Sequence, residues 1–160
     1  INNAGIIDTS MFLMTKIESI KNTFNINFFS QLEFTQIIIK KMIKAKSGNI
    51  INVSSISATD PVEGRLSYSS SKAAFVIASK ILSKELSKFN IRVNIIAPGL
   101  TKTSMMKNNH TQENIDKTIQ NIALNRVAEP EEVANVLLFL SSNLSSYING
   151  QVIRIDGGIF

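Results

Sequence analysis

The chain has 160 residues, a formal charge of +5, 44% hydrophobic and 18% charged residues, and no cysteine. These bounds fit one soluble globular domain with a sizeable core, rule out disulfide and thiolate chemistry, and are compatible with a reducing, cytoplasmic compartment. Lysines spread along the chain rather than massed, two Tyr and no Trp argue against a nucleic-acid partner, and no apolar run reaches the roughly 18 residues of a membrane span.

Ile1 opens the sequence without a Met or a basic leader. No signal peptide is therefore expected, and the sequence reads as a piece of a longer one. Ile1 to Gly5 reads as the tail of a strand entering a turn. Thr15-Lys16-Ile17-Glu18 has the spacing of a capping box and predicts a short helix. A longer helix is predicted from about Asn25 to Ala45, with Phe28, Phe29, Leu32, Ile38, Ile39, Met42 and Ile43 marking its apolar face. Ser47-Gly48 ends it.

The β-branched run 49–54 predicts a strand, and a loop with Asp60-Pro61 and Gly64 follows. A second long helix is expected over about Ser67 to Lys88. The next strand, 92–96, is stopped by Pro98-Gly99. Residues 101–128 are polar, with one or two helices and no sheet signal. Pro130, with Glu131 and Glu132 behind it, opens a helix to about Leu140. Asn149-Gly150 makes a turn, 152–155 a strand, and Asp156-Gly157-Gly158 a closing turn. Strands alternating with long helices predict an α/β fold built on a parallel sheet, whose ligands sit at the carboxyl ends of the strands.

Tyr68 and Lys72 lie at i and i+4 of the second long helix, on one face. A phenol needs its pKa lowered from near 10 to act as an acid or base at neutral pH. Reaching roughly 7 takes about 4 kcal/mol of phenolate stabilisation. A fixed cation in a partly desolvated pocket is a source of that. A Tyr and a Lys four apart are, taken alone, more often simple surface. Ser55 stands at the end of the preceding strand, where its hydroxyl can meet a carbonyl or merely begin a turn. Asn27, early on the first long helix beside apolar residues, is mildly unfavourable there, or is a solvent-exposed filler.

Asn3-Ala4-Gly5, Asn27, Ser55, Tyr68-x-x-x-Lys72 and Pro98-Gly99, in this order and spacing, resemble the classical short-chain dehydrogenase/reductase family. Tyr147 to Gln151 and Asp156-Gly157-Gly158 are similar to the closing region of its 3-oxoacyl-carrier-protein reductase branch. The resemblance spans essentially the whole chain. It implies a Rossmann-like doubly wound parallel sheet of about four strands over residues 1–160. It also implies hydride transfer between a nicotinamide cofactor (NADP, or NAD) and a carbonyl or alcohol, with a 3-oxoacyl thioester on an acyl carrier as the favoured substrate.

By the same resemblance Tyr68 is the proton donor or acceptor. Lys72 lowers its pKa and binds the nicotinamide ribose, Ser55 polarises the carbonyl, and Asn27 holds a water in a relay behind Lys72. Asn3, Ala4 and Gly5 pass the adenosine side of the cofactor. Thr101 meets the nicotinamide carboxamide through its backbone, Thr103 lies near the carboxamide or the pyrophosphate, and Pro98 and Gly99 also bind the cofactor. The long helices imply a homo-oligomer.

The family's Gly-rich phosphate loop has no counterpart among the seven Gly. The first β-α-β units of the family pattern are therefore expected to be absent, and with them the helix N-terminus that receives the pyrophosphate. An inactive remnant serving at most as an oligomerisation partner is the alternative expectation. His110, the only His, lacks partners for a metal site. Met105 and Met106 are either packing or part of a lid. Glu63 and Arg65 are either solvated loop charges or substrate contacts.

Overall fold

The computed structural model describes residues 1–159, which form a parallel sheet with helices on both faces. The helical hairpin begins with α1 (Ile17–Phe24), passes through a π-helical turn (Asn25–Phe29) and continues as α2 (Ser30–Ala45). Then follow β1 (Gly48–Val53), α3 (Leu66–Leu86), β2 (Ile91–Pro98), α4 (Ser104–Asn109), α5 (Gln112–Gln120), α6 (Pro130–Ser141) and β3 (Val152–Ile155). The strand order is β1-β2-β3, both pairings parallel, with Ile50 opposite Val93 and Ile96 opposite Ile153.

The two-residue alternation of the strands divides the core between the faces. Ile50, Ile91 and Val93 turn to α2 and α3, where they meet Ile39, Met42, Leu82 and Leu86. Ile51 and Ile96 turn the other way, to α6, where Leu140, Val133 and Leu137 cover them. Serines at 67, 71, 79 and 83 form much of the buried stripe of α3. Their small size allows a long helix to lie close against the sheet.

Three expectations are corrected. The predicted strand ending at Asn2 is a single parallel bridge to Asn52, so three strands form and the fourth position is held by two backbone bonds: Asn2 N–H to the Ile51 carbonyl and Val53 N–H to the Asn2 carbonyl, both 2.9 Å. Beyond it, Ala4 and Ile6 are bonded by the side chains of Gln31 and Asn27 instead of by the sheet. The Thr15 capping box does not form. Lys16 is the N-cap of α1, and the Thr15 hydroxyl instead donates to the carbonyls of Ser10 and Met11 at 3.1 and 3.0 Å. The two helices predicted from about Thr15 and Asn25 run together as one helical stretch from Ile17, joined by a π turn at Asn25–Phe29. The last long helix does carry a capping box, between Glu129 and Glu132.

Candidate active site

The carboxyl ends of β1 and β2 open on one side of the sheet. At the end of β1 the chain runs extended through Ser54 and Ser55 before a 3-10 turn, Ile56–Ala58. The Ser55 hydroxyl accepts from Ser57 N–H at 3.2 Å, which fixes the side chain as a cap. Ser54 bonds to the backbone of α3, its hydroxyl donating to the Lys72 carbonyl at 3.2 Å. These contacts bring the first turns of α3 beside the strand end, and Ser55, Tyr68 and Lys72 are all buried together there.

Tyr68 is 8% exposed and Lys72 4%. The Lys72 ammonium donates to the Val53 carbonyl at 2.8 Å and lies 5.9 Å from the centre of the Tyr68 ring. Val53 directs its N–H to Asn2 and is the last residue of β1. Its carbonyl sits where the strand pairing has ended, and Lys72 supplies the missing donor. A buried carbonyl must find one, so the lysine is held by a structural need as well as by its neighbours.

Burial pulls the Lys72 pKa down to about 8. Burial also pushes the Tyr68 phenol above its ordinary value, while a hydrogen bond with the Ser55 side chain and the charge of Arg65 work against that rise. Desolvation outweighs these favourable contacts.

Asn27 is fully buried in the π turn. Its side-chain oxygen accepts from Ile6 N–H at 2.8 Å, and its amide donates to the Ile6 carbonyl at 2.9 Å and to the Ser71 hydroxyl at 3.1 Å. One turn on, Gln31 donates to the Ala4 carbonyl at 2.7 Å. The two amides hold the segment Ala4–Ile6 against the helix. π turns are frequent at functional sites because they re-aim side chains that an α-helix would direct elsewhere. Gln31 escaped the sequence reading, although its i+4 spacing from Asn27 was the available signal.

Gly5 lies between these groups. A Cβ placed there would be 3.4 Å from both the Asn27 oxygen and the Lys72 nitrogen. The backbone here passes close to the buried ammonium, near enough that a Cβ would be in contact with it. Asn3 and Ala4, just before it, are exposed.

At the end of β2, a Cβ on Gly99 would be 2.9 Å from the Asp156 backbone, and the Gly99 N–H donates to the Ile155 carbonyl at 2.9 Å. Pro98 closes the strand. Leu100 and Lys102 bond to Ala128 on either side of Thr101. This alternation turns the Thr101 N–H and carbonyl away from Ala128, towards the open side. The Thr101 hydroxyl donates to the Gly99 carbonyl at 3.1 Å, and Thr103 caps α4. The backbone N–H and carbonyl of Thr101 are thus left without a partner in this pairing. Among the described residues there is no group of metal-ligating side chains. No described helix is long and apolar enough to cross a membrane.

The family described as "Enoyl-(Acyl carrier protein) reductase" matches residues 1–159. The 3-oxoacyl-[acyl-carrier-protein] reductase FabG of Chlamydia muridarum is 41% identical over 160 residues, covering 99% of this chain and 64% of the relative. Among solved structures, a 3-oxoacyl-[acyl-carrier protein] reductase from Brucella melitensis superposes with a TM-score of 0.94 at 27% identity, over 99% of this chain and 61% of that one. A 7α-hydroxysteroid dehydrogenase, solved with NADH and 7-oxo glycochenodeoxycholic acid, gives 0.95 at 32% identity, over 99% and 62%. The chain therefore spans somewhat under two thirds of the length of these proteins.

Proposed function

The chain belongs to the short-chain dehydrogenase/reductase family, and from that premise we propose that it serves in an oxidoreductase that uses NADP or NAD to reduce a carbonyl, with a 3-oxoacyl thioester as substrate. The observation that carries this reading is the burial of Tyr68, Ser55 and Lys72 together at the end of β1. The reduced nicotinamide, when bound, supplies the hydride that goes to the carbonyl carbon.

Tyr68 gives its phenolic proton to the carbonyl oxygen, so one hydride and one proton convert the ketone to an alcohol. Ser55 donates a hydrogen bond to the same oxygen and aligns it with the phenol. Lys72, fixed by the Val53 carbonyl, holds the ribose hydroxyls and stabilises the phenolate left behind. Asn27 keeps Ala4–Ile6 in place around that ammonium, and a water relay behind Lys72 would start beside its buried amide. Asn3, Ala4 and Gly5 border the adenosine side of the cofactor; Pro98, Gly99, Thr101 and Thr103 border its nicotinamide end.

Two further features support the homo-oligomer implied by the family. Phe34 and Ile37 of α2 and Ile77 and Ile81 of α3 are all more than half exposed. Exposed apolar groups of this extent on paired helices are a common mark of an interface.

Titration of the 160-residue chain with NADPH, followed by nicotinamide fluorescence, tests the cofactor part of the proposal. Enhancement that saturates is the expected result. No binding at millimolar cofactor would defeat the proposal for this chain and favour a non-catalytic role.

A further inference from the structure

Arg65 is the N-cap residue of α3, three positions before Tyr68. Its backbone is tied on both sides: the N–H donates to the Val62 carbonyl and the carbonyl accepts from Ser69 N–H. Its guanidinium is half-buried, and burial pulls its pKa down. The other arginines are satisfied by carboxylates or carbonyls. Arg126 is held by Glu132, and Arg154 by Asp60 and Asp156. Arg92 donates to the carbonyls of Leu140, Ser142 and Ile148. Arg65 has no carboxylate partner among the described residues. Among the described residues its side-chain hydrogen bonding is to an imidazole, His110 Nε2 at 2.7 Å.

That contact has one chemical reading. A guanidinium only donates, so Nε2 accepts and the imidazole proton is on Nδ1. The 3.5 Å approach to Nδ1 is too long to count as a second bond. His110 must therefore be neutral, and both its burial and the Arg65 charge hold its pKa below the ordinary value. His110 sits at the end of α4, in the segment between α4 and α5 that faces the loop before α3. A forked five-donor cation beside the proton donor thus keeps four N–H groups that no described side chain takes up.

We propose that Arg65 is a specificity-determining residue that receives the second oxygen of a 1,3-dicarbonyl substrate, with His110 occupying that place until the substrate arrives. This rests on the carbonyl-reduction reading above. Ser55 and Tyr68 hold the oxygen of the carbonyl being reduced. The oxygen two carbons away, in a thioester carbonyl or a free carboxylate, is the acceptor for the guanidinium. His110 is an exchangeable acceptor of the same kind, and its displacement couples substrate entry to movement of the α4–α5 segment.

The test uses Arg65→Met and Arg65→Lys with three ketones: the N-acetylcysteamine thioester of acetoacetate, acetoacetate itself, and butan-2-one, which lacks the second oxygen. Loss of a charge-assisted bond predicts a fall in kcat/KM of about 10- to 100-fold for Arg65→Met on the first two, carried mainly by KM. The fall on butan-2-one is expected to be at least ten-fold smaller, and Arg65→Lys to recover part of the loss. The larger loss of the first two identifies which oxygen is received. Equal losses on all three ketones would overturn the proposal and leave Arg65 acting only through Tyr68.

A readout independent of turnover comes from the single histidine, whose imidazole resonance needs no assignment. The acetoacetyl thioester should raise the His110 titration midpoint in the wild type, and Arg65→Met should raise it without any ligand. Should the wild type reduce none of the ketones, the reductase reading fails. A ligand-induced shift that is absent in Arg65→Met would then still uphold the binding site, and no shift would overturn it.

Discussion

Lys72 carries the clearest consequence of burial at the scale of a single residue. Its folded pKa of about 8 lies below the ordinary 10.5. Between these values the unfolded chain holds a proton that the folded chain has released, so stability rises with pH across that window. Below pH 8 both states are charged and the full cost of burying the ammonium is present; above 10.5 both are neutral and the cost is gone. The size is roughly 3 kcal/mol. The stability difference between wild type and Lys72→Met should therefore change by about that amount in favour of the wild type from pH 7 to 10.5, as read from urea midpoints. Tyr68 is present in both proteins, so its own titration largely cancels. A difference independent of pH would contradict the buried charge. The same residue shows what sequence can disclose. The i, i+4 spacing of Tyr68 and Lys72 is local and legible, whereas the Val53 carbonyl that fixes the ammonium is a contact set by where a strand stops pairing.

Among the elements, the helical stretch 17–45 unites the two helices that the sequence pattern predicts, and the π turn joining them is not foreseen by that pattern. Nothing in the local pattern around Asn27 marks it. The turn is matched to a tertiary partner, the Ala4–Ile6 segment, 21 residues away in sequence at Ile6. The false capping box has a similar cause: Thr15 has the right neighbours, but nearby carbonyls of Ser10 and Met11 compete for its hydroxyl. By contrast, the strands and α3 were legible from β-branched runs and turn residues, and the isolated bridge pairing Thr101 with Ala128 was not, since each side contributes a single residue. Asn27→Ala would leave the Ile6 N–H and carbonyl without their partner. A loss of roughly 2–4 kcal/mol is expected, together with faster hydrogen exchange at the Ile6 amide. Unchanged protection at Ile6 would show that the π turn does not hold that segment. Gly99→Ala would press a methyl group against the Asp156 backbone at 2.9 Å. It should cost about 1–3 kcal/mol, measurable as a lower denaturant midpoint, because backbone cannot yield as a flexible side chain does.

For the whole molecule, Phe34, Ile37, Ile77 and Ile81 leave exposed apolar side chains on α2 and α3. The chain is therefore expected to self-associate in sedimentation velocity, and Phe34→Glu with Ile81→Glu to reduce that association. A sharp cooperative melt of a stable monomer would contradict the expectation. The extent of the sheet was the part of the fold least legible from sequence, because two residues at Ile1 and Asn2 cannot show whether they continue a ladder or only touch it.

The central claim is that Tyr68 delivers the proton in a nicotinamide-dependent carbonyl reduction. The direct measurement is a single-turnover assay of the acetoacetyl thioester with NADPH, comparing wild type with Tyr68→Phe while cofactor binding is followed by fluorescence. The account predicts a 3-hydroxy product formed in step with NADPH oxidation in the wild type. It predicts a rate lower by about 10²–10⁴-fold in Tyr68→Phe with cofactor affinity retained. Bound NADPH with the phenylalanine variant turning over at the wild-type rate would contradict it.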